Sequence, residues 1–191
     1  MPTYERNKMS VKKNIYHFTL VLNGVNEKTK KLEDILFKAG CDDALINFRN
    51  GTVYLDFDRE SYSFEDAIIS AISQVESTKL NIKVVSAAPD HYVSESEVAK
   101  RLRVKRQTVS LWFKGVRLSH HPFPAQIMKL SEKSPLWRWF DIVEWLYTQK
   151  KITDTAILEQ AKLLEHLNVA LLERAVGEKQ YRQKLLKKLS H

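Results

Sequence analysis

The chain has 191 residues, of which 43% are hydrophobic and 28% charged, and a formal net charge of +8. This composition belongs to a folded globular protein, and the length suits two compact units better than one large core. No apolar run approaches a membrane helix, the start Met-Pro-Thr-Tyr-Glu lacks a signal peptide's apolar stretch, and the lone Cys41 builds neither a disulfide nor a zinc cage. A cytoplasmic protein with no membrane partner, metal or other cofactor is therefore expected.

The charge is unevenly placed. Residues 1–14, read as a basic N-terminal arm, hold four basic side chains against one acid, and residues 15–88 hold eight against eleven. Residues 89–150 hold eleven against six, and residues 151–191 eight against five. From Lys100 to Arg117 there are seven basic residues and no acid. A polyanionic partner is thus expected at the second half of the chain.

Residues 15–89 read as β-α-β-β-α-β. A strand over Ile15–Leu22 alternates Tyr16, Phe18, Leu20 and Leu22 onto one face, and a helix from Glu27 to Ala39 stacks Leu32, Ile35, Leu36 and Ala39 before stopping at Gly40. Strands Leu45–Phe48 and Thr52–Phe57 flank Asn50-Gly51, a dipeptide suited to the positive φ values of a tight hairpin. Ser63 with Asp66 opens a second helix whose stripe is Ala67, Ile68, Ala71, Ile72 and Val75, and Ile82–Ala87 is the last strand. This order is that of a ferredoxin-like sandwich, which makes the fold class α+β. Val53, Leu55 and Phe57 should face the helices, leaving Tyr54, Asp56 and Asp58 on the open face with His17 and Thr19. Two carboxylates and a histidine do not complete a metal cage or an acid–base set, so no catalytic residue is expected there.

Residues 90–150 carry two short helices joined by a tight turn. Ser94 is an N-cap with Glu95 and Glu97 in the first turn, and Val98, Ala99 and Leu102 form the buried face. Arg103-Val104-Lys105 makes the turn, and a second helix runs from Arg106 to Lys114 with Val109 and Trp112 inward, closing at Gly115. This is a helix-turn-helix pattern. Its turn often carries glycine where Arg103 stands, so a left-handed residue or an altered turn is expected there. With the second helix in a major groove, Arg106, Gln107, Thr108 and Ser110 reach base edges, Arg pairing with guanine and Gln with adenine. Lys100, Lys105, Lys114 and Arg117 fall to phosphates, which set affinity and register.

Beyond the second helix come Pro122-Phe123-Pro124, Ala125–Leu130, a polar turn at Ser131-Glu132-Lys133, the strand-like Leu136-Trp137-Arg138-Trp139 and the helix-like Asp141–Leu146. From Val93 to Tyr147 this succession resembles the winged helix-turn-helix domains of excisionase, AlpA-like and MerR-like DNA-binding proteins, with the wing at residues 123–139. The block from His17 to Leu146, including Asn-Gly-Thr-Val-Tyr-Leu-Asp-Phe-Asp-Arg and Pro-Leu-Trp-Arg-Trp, also looks like a group of bacterial two-part DNA-binding proteins. The resemblance implies sequence-specific binding of double-stranded DNA by a bacterial transcriptional regulator or mobile-element protein. It implies Arg106, Gln107, Thr108 and Ser110 as groove residues and Lys129, Lys133 and Arg138 as wing contacts. His120-His121 reads as a loop pair near phosphates.

Residues 151–191 form a helical segment. From 153 to 189 there is no proline, and apolar residues recur from Ile157 through Leu164, Leu171 and Leu185 to Leu189, as one long helix or two that break near Asn168 or Gly177. The stripe packs on its own body or on a second copy, and a homodimer is favoured because it would present two recognition helices to paired half-sites. The competing reading is an antitoxin-like or adaptor protein whose sandwich binds a protein or small-ligand partner, with DNA binding secondary. An enzyme built on His17, Asp56 and Asp58 lacks a complete constellation.

Overall fold

The computed structural model describes residues 12–118, 121–132 and 134–190. It is an α+β structure, with one four-stranded sheet, one two-stranded sheet and, among the described residues, seven helices. The chain divides into two compact units, one up to Val84 and one from Val85 onward. The helical tail belongs to the second unit and does not stand as a separate body.

The first unit contains β1 (Asn14–Asn23), α1 (Leu32–Lys38), β2 (Ala44–Arg49), β3 (Thr52–Ser61) and α2 (Phe64–Glu76), and β4 (Lys83–Ala88) begins in it. The sheet order is β2-β3-β1-β4, with antiparallel ladders between β1 and β3 and between β2 and β3. Alternation places Phe18 against Phe57, Leu20 against Leu55 and Leu22 against Val53, all buried, and the two phenyl rings stack at 5.1 Å. Leu32 and Leu36 of α1 and Ala67, Ile68, Ala71 and Val75 of α2 complete the core. The opposite sheet face mixes polar side chains such as His17, Thr19, Asp56 and Asp58 with the exposed Ile15 and Leu45.

Local chemistry explains the element ends. Asn50 (φ 50°) and Gly51 (φ 76°) both take the left-handed region, so Arg49 meets Thr52 across a two-residue hairpin. β3 continues past Phe57 to Ser61 because β1 extends to Asn14, its partner. Ser63 caps α2 by accepting the Asp66 N–H at 3.0 Å, and its hydroxyl donates to the Asp66 carboxylate at 2.7 Å. α1 starts at Leu32 rather than at the expected Glu27. The Asn26 side chain accepts the Lys28 N–H (2.9 Å), and Thr29 returns its N–H to the Asn26 carbonyl (3.0 Å), so these residues close a local turn in competition with the helix. Lys31, at φ 56°, then redirects the chain.

Arg59 is the one charged side chain buried in this unit among the described residues, at 7% exposure. It lies on β3 and donates through Nε and Nη2 to both oxygens of Asp43 (2.7 and 2.8 Å), through Nη2 to the Gly40 carbonyl (3.1 Å) and through Nη1 to Ser70 Oγ (3.2 Å). A single guanidinium thus joins β3, the α1–β2 connection and α2. Burial pushes the neighbouring Cys41 thiol up to about 11, against the pull of the Arg59 charge, so this cysteine is an inert core residue.

The second unit contains β5 (Tyr92–Val93), α3 (Glu95–Arg101), α4 (Arg106–Phe113), β6 (Trp137–Arg138), α5 (Trp139–Thr148), α6 (Thr155–Val176) and α7 (Lys179–Leu189). Its core gathers Val98 and Ala99 of α3, Val109 and Trp112 of α4, Trp137, and Ile142, Val143, Trp145 and Leu146 of α5. The tail breaks at Gly177 (φ 70°), one of the two expected places. The expectation that the stripe would favour a second copy is corrected for most of α6, because Ala161, Leu164, Asn168 and Leu171 are buried within this unit. The Asn168 amide bonds the Ala87 backbone like a neighbouring strand, accepting its N–H (2.8 Å) and donating to its carbonyl (2.9 Å). α7 buries no residue, and no described helix is long and apolar enough to cross a membrane.

The Arg59 arrangement yields a stability test. Asp43→Ala leaves the guanidinium buried without its counter-charge and is expected to lower unfolding stability by about 3 kcal/mol, measured by urea denaturation of the whole chain. Arg59→Met, which removes the buried charge with its partner need, should cost clearly less.

Candidate nucleic-acid interface

The second unit positions its surface from the caps upward. Ser94 Oγ accepts the Glu97 N–H (3.4 Å), and the Glu97 carboxylate accepts the Ser94 N–H (2.7 Å), a reciprocal capping box. Burial pushes the Glu97 carboxyl up, but both Ser94 bonds and the charges of Arg101 and Lys100 together hold it below the usual carboxylate range. α3 closes with the Leu102 N–H on the Val98 carbonyl and the Val104 N–H on the Ala99 carbonyl, each at 3.0 Å. Between them Arg103 sits at φ 54°, the left-handed conformation expected where glycine is common.

α4 is preceded by Lys105 at the N-cap, whose side chain makes no capping bond, and its first turn contains no acid. The Thr108 N–H bonds the Lys105 carbonyl (2.8 Å), and the positive end of the helix dipole lies beside Lys105 and Arg106, an arrangement that favours an anion. At 3.6 residues per turn, Val109 and the Trp112 ring are turned inward, Trp112 lying 6.0 Å from Trp145. The opposite arc carries Arg106, Gln107, Ser110 and Lys114. Arg106, Gln107 and Lys114 are exposed and Ser110 is half-buried. Thr108 falls on the flank of the helix toward Trp112 and is half-buried, so it is a less direct groove residue than expected. Lys100, Lys105 and Arg117 are exposed, as is Arg103, which the sequence pattern had marked only as a turn residue. Arg106 also lies 3.6 Å from Glu95, a contact within the same surface.

Two basic residues in this region are structural. Arg101 turns inward, donating to the Asp90 carbonyl at 2.7 Å and lying 4.9 Å over the Trp139 ring. Arg138, expected as a wing contact, donates through Nε to Glu165 (2.7 Å) and pairs with Asp141 (3.2 Å), which ties β6 to α5 and α6. Its charge is therefore paired within the unit, with the side chain 38% exposed. No local pattern pointed to Glu165, 27 residues further along.

The wing is also smaller than expected. Trp137-Arg138 pairs with Tyr92-Val93, and among the described residues of the expected wing the hairpin contact is a single bridge between Met128 and Leu136. Pro122 and Pro124 have no N–H for a ladder. Their segment is fastened by indoles, Trp137 Nε1 donating to the Pro124 carbonyl (3.1 Å) and Trp145 Nε1 to that of His121 (3.2 Å), with the Phe123 ring between. Lys129 is exposed at the start of the remaining loop, 3.7 Å from Glu132. Lys133 and His120 lie outside the described residues.

On the open face of the first unit, His17 contacts Asp58, Thr19 Oγ1 donates to Asp56 (2.6 Å) and Asn47 Nδ2 donates to the other Asp56 oxygen (2.8 Å). These side chains satisfy one another, and the described residues contain no group of three or more that could hold a metal. Comparison with known proteins returns no matching family model, no matching curated protein and no matching solved structure.

Two outcomes test this geometry. Arg103→Gly relieves the left-handed backbone and is expected to stabilise the protein by about 0.5–1 kcal/mol in thermal unfolding, after the extra freedom of glycine in the unfolded chain is set against it. The depressed Glu97 carboxyl makes stability that is present at neutral pH and fades as pH falls below about 4.3. Glu97→Gln should accordingly be less stable at neutral pH and lose less on acidification.

Proposed function

We propose that this chain is a sequence-specific double-stranded-DNA-binding protein of the bacterial transcription-regulator kind, acting as a homodimer and without catalysis, with α4 as the recognition helix. The observation that carries this reading is α4 itself: an uncapped N-terminus, an inward arc of Val109 and Trp112, and an outward arc of Arg106, Gln107, Ser110 and Lys114. Arg106 and Gln107 at the N-terminal end read base edges in the major groove, while Lys100, Lys105, Lys114 and Arg117 meet phosphates. Support for the winged helix-turn-helix form comes from the left-handed turn at Arg103, the β5–β6 pair and the short Met128–Leu136 hairpin, with Lys129 as its basic contact. The strand order β2-β3-β1-β4 around two helices supports a ferredoxin-like sandwich for the first unit.

Selection of bound sequences from a random duplex library, followed by titration of the selected site, tests this directly. Arg106→Ala is expected to relax preference at one base pair by about 1–3 kcal/mol. Lys114→Ala should weaken all sequences alike and reduce the salt slope by about one. Equal affinity of the unaltered protein for unrelated duplexes overturns the proposal.

A further inference from the structure

The two edges of the four-stranded sheet are treated differently. On β4, side chains occupy backbone groups: Glu76 accepts the Val84 N–H (2.9 Å), and Asn168 binds both polar groups of Ala87. Among the described residues, β2, at the other edge, has only β3 beside it. The Asp58 N–H donates to the Asp43 carbonyl, and Asp43 and Asp58 lie directly opposite each other in the register. Antiparallel alternation then turns the amides of Leu45, Asn47 and Arg49 toward β3 and those of Ile46 and Phe48 outward. β2 contains no proline or lysine, the usual devices that block an edge.

The side chains beside this edge are apolar. Ala44, Ile46 and Phe48 lie opposite Phe57, Leu55 and Val53, hence on the helix side of the sheet, next to α1. A groove of about 280 Å³ runs between α1 and β2, with Phe37 64% and Phe48 47% exposed. A strand added to β2 would satisfy the outward amides and set alternate side chains into this groove.

We propose that the occupant is β2 of a second copy, paired antiparallel about a two-fold axis at Ile46, so that two sheets join into one of eight strands. Antiparallel self-pairing at that register places Ile46 against its own copy and each bulky Phe48 against the small Ala44 of the other chain. The strand is acidic just before its start, at Asp42 and Asp43, and basic at its end, at Arg49. Asp43 is held by Arg59, whereas Asp42 and Arg49 are exposed. At this register Arg49 of each copy lies opposite Asp43 of the other, with the exposed Asp42 one position beyond, and this strand-end complementarity selects the chain itself over an unrelated peptide. Such an interface is isologous, so every side chain acts twice. α7 is a poorer self-partner, since its five basic residues and lack of acid would face a like-charged copy.

Sedimentation velocity on the full chain over a micromolar range tests the assignment, with circular dichroism and thermal unfolding as folding controls. The expected result is a dimer that Phe48→Lys converts to monomer and that Arg49→Asp weakens about tenfold, two repulsive ends replacing two attractive ones. The double variant Arg49→Asp with Asp42→Arg should restore it. Leu185→Lys with Leu189→Lys, on α7, should leave it unchanged. A monomer throughout the range, failure of the charge exchange to restore a folded double variant, or a dimer lost only through the α7 substitutions overturns the proposal.

Discussion

Trp145 is where the second unit closes. Its ring lies 6.0 Å from Trp112 of α4 and 5.0 Å from Phe123, and its indole N–H is bonded to the His121 carbonyl. Large aromatic rings bury much surface with few rotamers, and each indole demands a partner when desolvated. One side chain therefore fixes the inner arc of α4 to α5 and pins the proline-containing segment that cannot form a ladder. The outer arc of α4 follows from this anchoring. With Val109 and Trp112 held inward, Arg106, Gln107, Ser110 and Lys114 have no choice but to face away from the core.

The arginines divide by what lies near them. Arg59, Arg101 and Arg138 are partly or wholly removed from water, and each has an acid, a carbonyl or an aromatic face to compensate for the lost hydration. These three hold elements together. Lys100, Lys105, Lys114 and Arg117 are exposed around the helix pair. Their charge adds to the positive end of the α4 dipole in a solvent-accessible field, which is the condition for attracting a polyanion. Net charge alone does not distinguish the two groups.

Pairing of two chains through β2 would serve DNA recognition by linkage. One eight-residue recognition helix would read few base pairs, and joining two copies would turn the second contact into an intramolecular event. The first unit's contribution would then be assembly, consistent with an open sheet face whose polar groups are occupied by one another. On that proposal, covering one sheet edge with side chains while leaving the other apolar and unpaired among the described residues would direct association to a single place.

Features set by neighbours in the chain were legible from the sequence: the strand period of β1 and β3, the Asn50-Gly51 hairpin, the Ser94 and Glu97 cap, the left-handed Arg103 and the helix break at Gly177. Each depends on interactions spanning a few residues, which the order of side chains specifies directly. The late start of α1 is also local: the Asn26 turn takes the residues that the apolar spacing after it would assign to the helix. By contrast, the Arg59–Asp43 clamp, the loss of Arg138 to Glu165, the pairing of β6 with β5 and the burial of one α6 face were decided only by the tertiary structure. A charge is free or committed according to which acid folding brings within a few ångströms, and a strand's partner depends on which amides remain unpaired nearby. The residue types on α4 were thus determined by sequence, and packing decided which of its basic neighbours remain available beside them.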